Sequence, residues 1–201
     1  MNRQQMKVFY DKHEKEILFA AVFLNFMVFY TLINALSVGR EALDLRIGPD
    51  ARIPIWPIFI PIYLSAYIMP FSAYFAVKDM RLFRRTIVAC FSIQWISFIT
   101  YLLFPAMIHR PELPPDSIWT DVFHWFHKID PPYNSFPSLH VSQPILAAIV
   151  STFANRKYWW LIVWAGLIAV STLFTGQHVI LDVIAGLILA LIAVIFVIRK
   201  K

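Results

Sequence analysis

The chain has 201 residues, of which 59% are hydrophobic and only 15% charged, and its mean hydropathy is +0.63. Its 18 Phe, 8 Tyr and 7 Trp leave too little polar surface to coat a water-facing globule, which excludes a soluble enzyme, a secreted disulfide scaffold and a disordered tail. The formal charge of +6 does not indicate nucleic acid, because the basic residues sit in short segments between apolar runs and form no continuous basic face. A single cysteine, Cys90, permits no internal disulfide.

A helix that crosses hydrocarbon needs about 20 apolar residues, and the sequence predicts an all-α integral membrane protein with six such spans in a single domain. The first three run from Ile17 to Leu36, Ile53 to Val77 and Thr86 to Ile108. The second carries Pro54, Pro57, Pro61 and Pro70; the first two belong at its entrance, and Pro61 and Pro70 are expected to bend it where neighbours satisfy the freed carbonyls. The first run is longer than the apolar core of a signal peptide and follows a segment of mixed charge, so it reads as an uncleaved anchor. Three more spans follow at Ser138 to Ala154, Tyr158 to Thr175 and Val179 to Ile198.

Between the third and fourth spans lies one long loop, His109 to Pro137. Within it Ile118, Trp119, Val122, Phe123, Trp125, Phe126 and Ile129 recur at helical spacing, the pattern of an amphipathic helix lying in the membrane interface. His124 and His127 invite a metal reading, but no third ligand is near in sequence and aromatic-flanked histidines at a headgroup boundary need no metal.

Lys and Arg in the connecting segments set the orientation. Thirteen lie in the N-terminal segment, the Lys78 to Arg85 turn, the Arg156-Lys157 turn and the C-terminus, and five on the opposite side. Both termini are therefore expected in the cytoplasm. Arg110, His140 and His178 with Asp182 then share the non-cytoplasmic side, which is the periplasmic face of the inner membrane if the protein is bacterial.

Ionisable groups in hydrocarbon cost several kcal/mol unless paired or hydrated, so those at span ends are informative. Asp182 lies four residues after His178, on the same helix face, where its carboxylate can orient the imidazole. His140 stands at the head of the fourth span in Ser135-Phe136-Pro137-Ser138-Leu139-His140, where a helix start would offer the amides of Ser138 and Leu139 and the Ser138 hydroxyl to an anion. One cation, an anion-binding helix start and two histidines on one face suit a phosphate ester. In this scheme His178 attacks phosphorus and Asp182 fixes its tautomer. His140 protonates the leaving oxygen, Arg110 holds nonbridging oxygens, and neither metal nor cofactor is required.

Arg110-Pro111, Phe136-Pro137-Ser138-Leu139-His140 and Thr175-Gly176-Gln177-His178 with Asp182 together resemble the type 2 phosphatidic acid phosphatase superfamily. The resemblance covers roughly Arg110 to Gly186 and implies a metal-independent lipid phosphatase or phosphotransferase of six membrane helices, with His178 as nucleophile and His140 as acid. Two positions depart from the family pattern: Leu103 stands where it has a lysine, and Thr172, after Ser171, where it has an arginine. Phosphate binding would then rest on Arg110, Ser138, Leu139 and neutral donors such as Thr172, Thr175 and Gln177, with His109 nearby. The Phe-Pro-Ser-Leu-His and Gln-His forms are closer to the branch containing inositol phosphorylceramide synthases, which raises transfer to an alcohol beside hydrolysis. The expected partners are a lipid phosphate and the bilayer, with no nucleic acid. Rival readings are a proton-coupled transporter, which predicts midplane ionisable groups and an internal repeat that the sequence lacks, a metalloenzyme using His140, His178 and Asp182, and an inactive relative.

Overall fold

Inside hydrocarbon every backbone amide needs a partner within its own segment, which leaves helices as the economical solution for an open chain. The computed structural model describes residues 2–110, 113 and 117–199. Pro111, Lys200 and Lys201 lie outside the described residues, as do the side chains of Ile129 and Arg199. Among the described residues there are eight α-helices and no strand: α1 (Arg3–Ser37), α2 (Ile60–Leu64), α3 (Phe71–Ala76), α4 (Met80–Leu103), α5 (Ile118–Ile129), α6 (Leu139–Ala154), α7 (Trp160–Phe174) and α8 (Ile180–Arg199).

Four helical stretches are long and apolar enough to cross a membrane: Arg3–Ser37, Met80–Leu103, Arg156–Phe174 and Ile180–Ile198. The first is longer than the apolar run that predicts it. Asn2 caps α1 through a reciprocal pair with Gln5, so the polar segment before Ile17 is helical too. Arg84 pairs with Glu14 at 2.6 Å and the Lys15 ammonium donates to the Val77 carbonyl at 2.6 Å, fixing that end of α1 to the start of α4.

The second predicted span is not one bent helix. Residues 53–77 form a 3₁₀ turn at Pro57–Phe59, then α2, a second 3₁₀ turn at Ser65–Tyr67, and α3. Pro57 and Pro61 occupy first-turn positions and Pro70 directly precedes α3. A proline has no amide and clashes with the preceding turn, so each one starts a new piece. Neighbours close the breaks: the Ser65 hydroxyl donates to the Ile62 carbonyl and receives the Trp164 indole N–H at 3.0 Å.

At the centre stands α6. It packs against α3, α4, α7 and α8, and every residue from Leu139 to Ala148 is buried. A helix apolar on all sides belongs inside a bundle, and this one carries His140 in its first turn. The loop before it is anchored by the Tyr101 hydroxyl, which donates to the Pro137 carbonyl at 2.7 Å. The segment after α1 is tied to the segment after α4 by Leu43, whose amide donates to the Pro105 carbonyl and whose carbonyl accepts from Met107.

α8 and the head of α6 approach closely at Gly186. A Cβ built on Gly186 would lie 2.6 Å from the Ser138 carbonyl oxygen and 3.2 Å from the Val141 Cβ. Gly166 in α7 has nothing within 4 Å of the same position. Gly186→Ala should therefore destabilise the protein by about 1–3 kcal/mol through overpacking, whereas Gly166→Ala should be neutral or stabilising by up to about 1 kcal/mol. Thermal unfolding of both variants in one detergent checks this, and equal melting temperatures would contradict the close contact.

Candidate active site

Three helix ends and one loop meet at a single end of the bundle. α7 stops at Phe174, and Gly176 turns the chain with φ +60°, a left-handed conformation that favours glycine. The amides of Gln177 and His178 both donate to the Thr172 carbonyl, which folds the turn back and delivers His178 to the start of α8. There the Asp50 carboxylate accepts the Ile180 amide at 2.9 Å, and the Asp182 carboxylate accepts the Val179 amide at 3.2 Å. Both act as helix caps. The Asp182 carbonyl accepts the Ser138 amide at 3.2 Å, which joins the head of α8 to the head of α6.

These contacts align a chain of hydrogen bonds. Asp182 Oδ2 lies 3.1 Å from His178 Nδ1. His178 Nε2 lies 3.2 Å from His140 Nδ1. His140 Nε2 lies 3.2 Å from the Tyr63 hydroxyl and 3.0 Å from that of Tyr67. The partners assign the protons: a carboxylate can only accept, so His178 Nδ1 carries hydrogen and its Nε2 is a lone pair. His140 Nδ1 then donates to that lone pair, and the phenols donate to its Nε2. The core of this chain is buried, with His140 8%, His178 6%, Asp182 0% and Tyr63 0% exposed, whereas Tyr67 at its outer end is 37% exposed.

A small polar cavity lies beside the two rings, lined by Tyr30, Tyr63, Arg110, Asp130, His140, Gln177 and His178 among others. Arg110 is anchored there by the carbonyls of His127 and Asp130 and by Gln177 Oε1 at 3.1 Å, and its Nη2 lies 3.7 Å from the Asp130 carboxylate. Burial lowers the pKa of the Arg110 guanidinium and raises that of the Asp130 carboxyl, the latter opposed by Arg110 and by hydrogen bonds from Tyr30 and Asn34. Burial and the nearby Arg110 charge push the His127 imidazole down to about 3, so it is neutral, and its Nε2 meets Gln177 Nε2 at 2.6 Å. His124 Nε2 instead meets the Leu113 carbonyl. The two histidines of the His-x-x-His pair thus serve different partners, and no group of three or more potential metal ligands converges among the described residues.

The predicted residues divide accordingly. Arg110, His140, His178 and Gln177 share the cavity, and Asp182 backs His178. Ser138, Leu139 and Thr172 stand outside its lining. The Ser138 amide is engaged by Asp182 rather than open to an anion, although the Ser138 hydroxyl is buried without a partner. Leu139 faces a neighbouring apolar groove. The Thr172 hydroxyl donates to the Ala169 carbonyl, and that of Thr175 to Ser171 and Thr172, so both complete the helix end. Leu103, at the family's lysine position, is 65% exposed at the end of α4.

Three residues of this site, Tyr63, Tyr67 and Asp130, escaped the sequence reading, and His127 entered it only as half of a His-x-x-His pair. Tyr63 and Tyr67, four apart in an apolar run, were phenols with no visible partner. Asp130 and His127 lie in the long loop, and only α5 brings them to Arg110. A helix stands at Ile118–Ile129, and of the apolar residues that recur along it Phe123 and Phe126 are buried while Ile118, Trp119 and Trp125 are exposed.

No curated protein and no solved structure matches the chain. A family model described as PAP2 superfamily matches residues 58–196, a stretch that holds both histidines, Asp182, Arg110 and the two tyrosines. The match spans well over half of the sequence, and the chain therefore belongs to the PAP2 superfamily, whose members are phosphatases or phosphotransferases.

Proposed function

We propose that this protein is a metal-independent lipid phosphate phosphatase that works through a phosphohistidine on His178. The observation that carries this reading is the unbroken chain from Asp182 through His178 to His140, set beside Arg110 in one cavity. The lone pair of His178 Nε2 attacks phosphorus, and Asp182 stabilises the positive charge that develops on the ring. Substrate that enters as its protonated monoanion passes that proton to His140 Nε2, and the resulting imidazolium gives its Nδ1 proton to the departing alkoxide while its Nε2–H turns to a tyrosine oxygen. In the second step neutral His140 takes a proton from water, which attacks phosphorus and frees His178.

Two features of the geometry refine this scheme. The rings touch at 3.2 Å, so an in-line phosphorus must part them, and substrate replaces the His140–His178 hydrogen bond with bonds to its own oxygens. Arg110 Nε is buried without a partner, a donor aimed at nothing else among the described residues and suited to a nonbridging oxygen.

Membrane topology belongs to the same reading. The four long helices, the broken 53–77 segment and α6 together make six crossings. The excess of Lys and Arg at the opposite end of the bundle then puts both termini in the cytoplasm and the site at the non-cytoplasmic face.

Transfer to an alcohol acceptor is a second reading, and the cavity's charge favours it for some substrates. Among its described lining residues Arg110 is the one permanent cation, and Asp130 opposes it. A phosphodiester monoanion suits that balance better than a phosphomonoester dianion, and cleavage of a diester leaves a head group on His178 for an acceptor to collect.

Purified protein presented with phosphatidic acid, phosphatidylglycerol phosphate and polyprenyl pyrophosphate should release phosphate or form a new lipid, and His178→Ala should abolish both. Undiminished turnover in that variant would remove His178 as nucleophile. His140→Ala should lose about 10²–10⁴-fold with alkyl esters and recover much of it with an activated aryl ester; equal loss with both would mean a binding defect. Asp130→Asn keeps the acceptor for Tyr30 and Asn34 but removes the opposing charge. It should raise the monoester-to-diester ratio of kcat/KM about tenfold at neutral pH. Because the Asp130 carboxyl is held above the usual carboxylate range, it gains its proton as the pH falls through that raised range. The wild-type ratio should there approach the variant's, and an unchanged ratio at every pH would exclude Asp130 from selectivity.

A further inference from the structure

His140 lines two cavities. One is the polar site already described, and the other is an apolar groove of about 200 Å³ between α1, the broken second segment, α4 and α6. Its walls include Phe19, Phe23, Phe71, Ile87 and Leu139, with His140 and Tyr67 at its head. The polar side chains along it are already engaged. Gln143 donates to the Cys90 carbonyl, Thr86 to the Leu82 carbonyl, and Gln94 donates to Val22 and accepts from Asn25. Such a surface has no use for a head group, and an occupant gains affinity there only by burying hydrocarbon.

The groove's dimensions select the occupant. Along α4 it runs from Phe83 to Gln94, eleven residues or about 16 Å at the helical rise, which is about half of a 30 Å hydrocarbon core. One end meets the catalytic ring. The other is closed by Tyr74 and Phe83, with the Lys15 ammonium 4.8 and 5.0 Å from their ring centroids. On the open side the backbones of α1 and α3 are bridged by aromatic rings, Phe71 lying 4.9 Å from Phe19 and 6.4 Å from Phe23 between centroids, and Phe23 and Met27 are exposed. The proline break shapes this wall, since Pro70 and Phe71 both line it.

We infer that this groove is the subsite for one hydrocarbon chain of the substrate, entering laterally between α1 and α3 and running from His140 to a floor at Tyr74 and Phe83. The inference rests on the reading of His140 as the group facing the leaving oxygen. The alcohol that departs from phosphorus is then the one whose tail lies in the groove, and the floor limits the length of tail that contributes to binding.

The test is a series of single-chain alkyl phosphates from butyl to octadecyl, presented to the protein in nanodiscs. For the wild type, kcat/KM referred to bilayer-bound substrate should rise with each methylene that packs in the groove and then level off once the tail reaches the floor. Ala73, a buried residue lining the groove, becomes an obstruction as Ala73→Phe. That variant should level off several methylenes earlier with the shortest substrates unaffected, and Ala73→Leu, a smaller obstruction, should fall between. A flat wild-type series, or equal loss at every length in both variants, would overturn the subsite. Binding is read separately by the thermal stabilisation from dodecylphosphonate, which should be smaller in Ala73→Phe than in the wild type. If no phosphate ester is cleaved but this difference holds, the catalytic reading fails and the tail site stands; equal stabilisation of both proteins would remove the site.

Discussion

The arrangement depends on one contact, the seating of the head of α8 against the head of α6. Gly186 lets the two backbones approach until a methyl group would strike the Ser138 carbonyl, and the Asp182 carbonyl takes the Ser138 amide across the gap. Those two facts place His140 and His178 in the first turn or at the threshold of adjacent helices, within hydrogen-bonding distance. Small residues at helix crossings are how membrane bundles bring backbones together. Here the gain is chemical as well as structural, because Asp182 caps its own helix, orients His178 and docks α6 from a single residue.

Electrostatics inside the site are close to balanced. A buried charge without a partner is costly, and Arg110 is surrounded by two carbonyls, Gln177 and the Asp130 carboxylate. α5 supplies the His127 carbonyl and leads into Asp130, so the long loop acts as a structural wall of the cavity. His127 stays neutral against Gln177 and adds no charge.

The broken second segment shows how irregular backbone is tolerated in a membrane bundle. Its pieces stay covered by α5, α6 and α7, and the Ser65 hydroxyl, held by the Trp164 indole, donates to the Ile62 carbonyl beside the break. In return the break aims two phenols at His140 Nε2 and opens the apolar groove on the other side of the same ring. A straight helix would present Tyr63 and Tyr67 along one stripe but would pack closed against α1, as α4 does.

Long apolar runs with few charges were enough to read an all-helical chain with stretches long and apolar enough to cross a membrane, because no other open-chain structure satisfies its backbone in hydrocarbon. The four-residue spacing suggested that His178 and Asp182 pair, and they do, although His178 precedes α8 and the Asp182 carboxylate reaches it while capping the helix start. The motif spacing foretold the family. Everything that joins distant segments had to await the tertiary structure. Tyr63, Tyr67 and Asp130 carried no local signal, the Ser138 amide and the Thr172 hydroxyl are engaged by backbone carbonyls, and Pro57, Pro61 and Pro70 divide a run that hydrophobicity alone reads as continuous. The division has a physical cause: periodicity and hydrophobicity are properties of one segment and its solvent, whereas the partner of a buried polar group is decided by which helix ends the packing brings together.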